Sequence, residues 1–246
     1  MTIQLVLLIA LIALISSFMH GLLGFGYSMI AMSILPLLIS LVDSAAIGTI
    51  ALAVVCTQIS FLLRKYINWK KVFGPSVFMI FGKILGIVIL MGVSSRILEF
   101  LFGIFLVWYA VTSLQKRSLF QIQGTKGQGA VLGFAGGILG GMFNVSGPMA
   151  SIYYLAICED TKEYSACLNF TFVPAAIIGM FIHISYGNYT DFVIQMGGIS
   201  ILAVLIGTGI GVRIFKRLDI EKIRKLTFLY VGCMGMFLCV NGILFL

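Results

Sequence analysis

The chain has 246 residues, of which 61% are hydrophobic and only 10% charged, with a formal net charge of +8. A soluble domain carries about 25% charged residues, so this chain lacks the polar surface to coat a globule in water and must be solvated mostly by lipid. A nucleic-acid role for the positive charge is excluded, because nearly all Lys and Arg stand in short loops between apolar runs, where they set membrane orientation.

Apolar runs fall at about 3–19, 22–42, 44–63, 72–93 and 97–114, then at 127–143, 147–158, 164–183, 192–212 and 223–246. The first, MTIQLVLLIALIALISS, has the length of a signal peptide but no basic leading region, and many similar runs follow, so a retained helix is expected. A full span needs about 20 residues. Most runs qualify, while 127–143 and 147–158 look short. Inside a bilayer every backbone group must be satisfied internally, and no segment alternates with period two, so the runs are helices. Five cysteines (Cys56, Cys158, Cys167, Cys233 and Cys239) lie within or beside these runs, with no CxxC and no nearby His. They read as small buried hydrophobes, and no metal site is expected.

The last five runs read as a copy of the first five. A shift of 120 lays Phe61, Tyr66, Asn68 and Trp69 over Phe181, Tyr186, Asn188 and Tyr189, with Ala46 over Ala166 and Thr49 over Asn169. A shift of 116 lays Gly21-Leu22-Leu23-Gly24 over Gly137-Ile138-Leu139-Gly140. The loop Arg64-Lys65-Tyr66-Ile67-Asn68-Trp69-Lys70-Lys71 carries four positive charges, and its counterpart over 184–191 carries none. Basic loops stay cytoplasmic, so the halves are expected to insert upside-down relative to each other. If the two runs around each Gly-turn contribute an even number of crossings, fourteen of the sixteen basic residues fall inside, leaving Arg96 outside and Lys83 within a span. Both termini then face outward. The expected fold is a single all-α polytopic membrane domain over 1–246. It comprises inverted repeats at about 1–115 and 127–246 and a cytoplasmic linker at about 115–126.

Two glycine-rich turns break the pattern: His20-Gly21-Leu22-Leu23-Gly24-Phe25-Gly26-Tyr27, and the segment from Gly136 to Pro148. Such glycine density weakens a helix. Asn144, Ser146, Gly147 and Pro148 read as a break followed by a fresh helix start, with Pro148 at the first helical position and Asn144 or Ser146 as its cap. Broken backbone at membrane depth must be buried in protein or line water, and a helix N-terminus receives anions readily. The run 148–158 rises only about 16 Å. Two re-entrant hairpins with tips meeting near the midplane are therefore expected, as in transporters with inverted repeats. Gly24, Gly26, Tyr27, Gly140, Gly141, Asn144, Ser146, Gly147 and Pro148 are the candidate substrate-binding residues of the turns. Gly82, Gly86, Gly207 and Gly211 are read as close-packing positions.

Polar residues within spans complete the candidate site. Lys83, at a span centre, is costly there and by default functional, either attracting an anion or pairing with a helix C-terminus. Thr49 and Asn169 occupy matching repeat positions, with Gln58 and Thr171 on the same helices. His20, beside the first turn, is a candidate proton-linked group.

GLLGFGYSMIAMSILPLL (21–38) and GGILGGMFNVSGPMASIYYLA (136–156) resemble the paired signatures of the TauE/SafE-type family of sulfite-exporter and toluenesulfonate-uptake permeases. Chain length and the order of elements agree. Many members have a triple glycine in the first turn and a double proline in the second, where this chain has Gly24-Phe25-Gly26-Tyr27 and Gly147-Pro148-Met149. The resemblance implies transport of sulfite, thiosulfate or an organosulfonate across the cell's inner (plasma) membrane.

A small-anion permease is thus the leading function, with no cofactor and no catalytic residue expected. A metal-cation carrier or passive channel is the alternative. A membrane-embedded enzyme is weaker still, because two distant histidines cannot build a metal cluster and no G-x-S-x-G elbow appears. Direction of transport and the coupling ion, proton or sodium, are open, and the apolar surface is compatible with a homodimer.

Overall fold

Leu7, Phe73, Val131 and Leu202 are each more than 60% exposed, which in water would be untenable. A computed structural model describes residues 3–115, 123–214 and 220–245. Lys116, Arg117, Lys216 and Arg217 lie outside them. The described residues are mostly helical, with α-helices in the order α1 (Ile3–Leu23), α2 (Tyr27–Ile34), α3 (Leu41–Leu62), α4 (Trp69–Gly92), α5 (Ser95–Leu114), α6 (Lys126–Phe143), α7 (Gly147–Ile157), α8 (Thr161–Ser185), α9 (Asp191–Ile214) and α10 (Ile220–Phe245). Among them α1, α3, α4, α5, α8 and α9 are long and apolar enough to cross a membrane. The chain is a multi-pass membrane protein.

Local chemistry starts the helices where the chain leaves the apolar region. Ser40 caps α3 by accepting from the Asp43 N–H, and Asp160 caps α8 by accepting from the N–H groups of Lys162 and Glu163. Thr125 and Gln128 form a reciprocal capping box at the start of α6.

Helix limits recur along the chain. α6 ends, α7 begins and α8 begins each 120 residues after the corresponding limit of α1, α2 and α3. The positive-φ residue that ends the first helix recurs at the same offset, Gly24 at 78° and Asn144 at 57°. The offset of 116 read from the glycine patterns is therefore replaced by 120, so that Gly24 corresponds to Asn144. Packing follows the same scheme. α4 lies along α6 and α8, α1 and α3 lie along α9, α3 meets α8, and α5 meets α10. Exchanging the halves maps each of these contacts onto another or onto itself.

Directions follow from contacts at the helix ends. Lys71, near the start of α4, bonds to Glu163 near the start of α8, while Met91, near the end of α4, meets Asn188 just beyond α8. These two helices therefore run side by side in one direction. The loop 64–68 lies at one end of the bundle and the loop 186–189 at the other. The α6–α7 segment folds back on itself, because a Cβ on Gly124, before α6, would press against Ile157 at the end of α7.

The closest helix contacts are glycine against glycine. Gly82 and Gly86 of α4 lie on Gly137 and Gly141 of α6, and Gly21 of α1 lies on Gly211 of α9. Gly207 packs against Leu14 and Ser17 of α1. The close-packing reading of Gly82, Gly86, Gly207 and Gly211 thus matches their surroundings.

Candidate substrate site

The tips of the two broken segments touch. A Cβ on Gly147 would lie 3.0 Å from the Phe25 ring. Around that contact is a small cavity whose walls include His20, Gly26, Tyr27 and Ser28 from the first turn and Asn144, Ser146 and Gly147 from the second, with Leu52 of α3 and Phe172 of α8 at the sides. It has room for about one water molecule. None of its lining residues is acidic.

Two helices begin at this cavity. α2 starts from Gly26, whose φ of 115° favours glycine and which has no side chain to cap the helix. α7 starts from Ser146, also without a side-chain cap. Pro148 is the second rather than the first residue of α7, because Gly147 already has helical geometry. The capping role expected of Asn144 or Ser146 is not taken up. Asn144 ends α6 in the left-handed region and turns its amide toward α3 instead. First-turn N–H groups of both helices, that of Tyr27 apart, therefore remain for a guest, with the positive ends of their dipoles. The Ser28 hydroxyl, in a residue 5% exposed, has no hydrogen-bond partner.

Each tip is held by the opposite half of the chain. Asn169 of α8 donates through Nδ2 to the carbonyls of Gly24, at 3.0 Å, and Ser165, at 2.9 Å. Its Oδ1 must then accept, so His20 carries its proton on Nε2 and donates to Asn169 at 2.9 Å. The unprotonated Nδ1 of His20 accepts from the Tyr27 N–H at 3.4 Å. Across the cavity, Asn144 donates to the Ala45 carbonyl of α3 at 2.7 Å and accepts from Lys83 at 2.7 Å. The single proton of the Thr49 hydroxyl is shared between Ala45 O, at 2.8 Å, and Asn144 Oδ1, at 2.9 Å. Thr49 and Asn169, matched in the sequence, thus do matched work on opposite tips.

Lys83 does not line the cavity. Its ammonium donates to the Gly140 carbonyl as well as to Asn144, so it pairs with the C-terminal end of α6, where the helix dipole favours a cation. Its stem runs past Gly179 of α8, where a Cβ would lie 2.6 Å from Lys83 Cε. Gly141 packs on α4, Thr171 bonds to Tyr154 of α7 and to the Cys167 carbonyl, and Gln58 reaches Leu205 O on α9. None of these three reaches the cavity wall.

Sequence reasoning missed Phe25, Ser28, Ala45 and Gly179. Ser28 alone carried a signal, a polar residue directly after the first turn. The other three contribute a ring, a carbonyl and an absent side chain, none of which a pattern of polar residues reveals. It also missed that Cys158 and Cys167 come together with Glu163.

A helical bundle with six apolar spans and two broken helices meeting tip to tip inside it is an architecture suited to a multi-pass membrane transporter. The sulfite exporter TauE/SafE family matches residues 9–238. The chain belongs to that family. It is also similar to a Methanocaldococcus jannaschii protein named "Probable membrane transporter protein", with 23% identity over 208 residues that cover 78% of each chain. No solved structure gives a significant match.

Proposed function

We propose that the chain is a permease for a small oxyanion, sulfur-containing such as sulfite, thiosulfate or an organosulfonate, bound between the tips of α1–α2 and α6–α7. The observation that carries the reading is the pair of helix N-termini, α2 and α7, whose N-cap residues leave first-turn N–H groups open and which face one cavity with no carboxylate in its wall. Backbone amides and a hydroxyl suit an oxyanion, whereas a cation carrier calls for carboxylate or thiolate ligands, which this wall lacks. In this reading Gly26, Tyr27, Ser28, Ser146 and Gly147 contact the anion. Asn144, Thr49, Asn169, His20 and Lys83 hold the tips. Pro148, Gly140, Gly141, Gly24 and Thr171 shape the turns and their packing.

The cavity as it stands is too small for sulfite, so the tips must part for the anion to enter. Transport is then alternating access, with one half rocking against the other around a site near the midplane. Head-to-foot insertion of the halves is supported by the opposite placement of the loops 64–68 and 186–189 and by the distribution of charge. Arg64, Lys65, Lys70, Lys71, Lys126 and Lys162 belong to one end of the bundle and Arg96 to the other. The first end is cytoplasmic in this reading, and both termini face outward from the inner membrane. His20 holds the one imidazole at the site, and a proton that enters with the anion reaches its Nδ1 by displacing the bond from the Tyr27 N–H.

Flux of labelled sulfite and thiosulfate in proteoliposomes tests the function. Saturable flux, competed by the other anion, is expected. Silence with every anion tried, together with clear flux of a metal cation, overturns the reading.

A further inference from the structure

Away from the cavity, at the end of the bundle that carries the loop 64–68, Cys158, Glu163 and Cys167 bring two thiol sulfurs and a carboxylate oxygen within 4.8 Å of one another. We infer that these three side chains form a binding site for a soft divalent cation of the zinc class. Such cations take thiolate and carboxylate ligands in tetrahedral sets. Rotations of about 1 Å at the side-chain ends bring the three atoms to the separations that bonds of about 2.0–2.3 Å require. A water molecule completes the set, and the two thiol protons are released on binding.

The surrounding groups favour a ligand set over a chance cluster of hydrophobes. The Asn68 N–H donates to Cys167 Sγ at 3.4 Å, a bond that stabilises a thiolate. Glu163 Oε1 accepts from Asn68 Nδ2 at 3.1 Å and from Lys71 Nζ at 2.8 Å, and Oε2 accepts from the Glu159 N–H at 2.9 Å. These partners fix the carboxylate in place while Oε2 keeps a lone pair for a metal. Lys71 also balances charge, because two thiolates and a carboxylate are matched by one divalent cation and one ammonium. Cys167 is buried while Cys158 is only partly so, which leaves an approach from the bundle end. Cys56, buried in the core, belongs to no such group among the described residues.

The location gives the site a consequence. Cys158 directly follows α7, Cys167 and Glu163 lie on α8, and Asn68 and Lys71 belong to the corner between α3 and α4. A bound cation therefore fastens the outer end of the α6–α7 hairpin to α8, whose Glu163 is itself bonded to Asn68 and Lys71 of the first half.

The test uses the full chain in detergent, reduced and stripped with a chelator, and titrated with cobalt(II). One equivalent should produce a thiolate-to-cobalt charge-transfer band with tetrahedral visible bands, bleached by equimolar zinc. Cys158→Ser and Cys167→Ser should each remove the band or weaken binding at least about tenfold. Glu163→Gln should weaken binding by a similar factor and leave the band. Absence of the band, or a band that survives in both serine variants, overturns the site. Should the serine variants fail to fold, alkylation of Cys158 in the unmodified chain decides the matter. Protection by one equivalent of zinc supports the site, and an unchanged alkylation rate overturns it.

Discussion

Asn144 combines two properties that no other residue supplies together. Its φ of 57° suits Asn or Gly, and its amide links Ala45, Thr49 and Lys83 across three elements. Asn144→Gly keeps the backbone geometry and removes only the amide. Each lost bond to a charged group costs about 1.5–3 kcal/mol, so flux should fall at least about tenfold while the protein still inserts, as measured by proteoliposome flux beside gel filtration. Ser28 is the opposite case. Its buried hydroxyl has no partner in the closed tip contact, and an unmatched buried polar group costs about 1–3 kcal/mol. Ser28→Ala should therefore leave thermal stability equal or higher and yet weaken apparent anion affinity. Equal affinity in this variant removes Ser28 from the site. Lys83→Met should also lower affinity, but through the loosened Asn144 turn, and with lower thermal stability. Lys83 was legible as an oddity in its span, with pairing to a helix C-terminus as one of its two expected roles, whereas the particular helix end was not, because a carbonyl partner 57 residues away leaves no trace in composition.

At the scale of elements, the decisive features are the two interruptions and the glycine seams beside them. The breaks at Gly24 to Gly26 and at Asn144 to Ser146 aim α2 and α7 at each other. The seams bring α4 onto α6 and α1 onto α9 so closely that a Cβ on Gly82 would fall 2.1 Å from the Phe134 carbonyl oxygen. Backbone cannot yield as a side chain tip does. Gly82→Leu should force the helices apart at a cost of about 1–3 kcal/mol, read as a lower midpoint of thermal unfolding in detergent, with flux lost as the α6–α7 tip shifts. The short runs 127–143 and 147–158 were legible as a broken pair from their length and their glycines. That the fold-back brings Gly124 beside Ile157 was decided by packing.

For the whole molecule, the halves exchange partners. α1–α2 is held by α8 and α9 of the second half, and α6–α7 by α3 and α4 of the first. Neither tip is supported by its own half alone, so the site belongs to the assembled pair. Head-to-foot insertion predicts opposite accessibility at Tyr66 and Tyr186, which are 40% and 48% exposed. Tyr66→Cys and Tyr186→Cys should react with a membrane-impermeant thiol reagent from opposite sides in oriented vesicles. Reaction from one side by both ends the inverted arrangement.

The sequence by itself determined the lipid solvent, the helices and the two places where the helices break, and it raised the expectation of a repeat. These follow from composition, span length, charge placement and glycine density, all of which act over a few residues. Tertiary structure alone decided what faces the cavity. Thr49 and Asn169 became braces, Lys83 turned to a helix end, Gly141 packed on α4, and Cys158, Glu163 and Cys167 converged. The reason is physical. In lipid every backbone group must be satisfied within the protein, and which partner a buried polar side chain meets depends on distances across helices that local sequence does not encode.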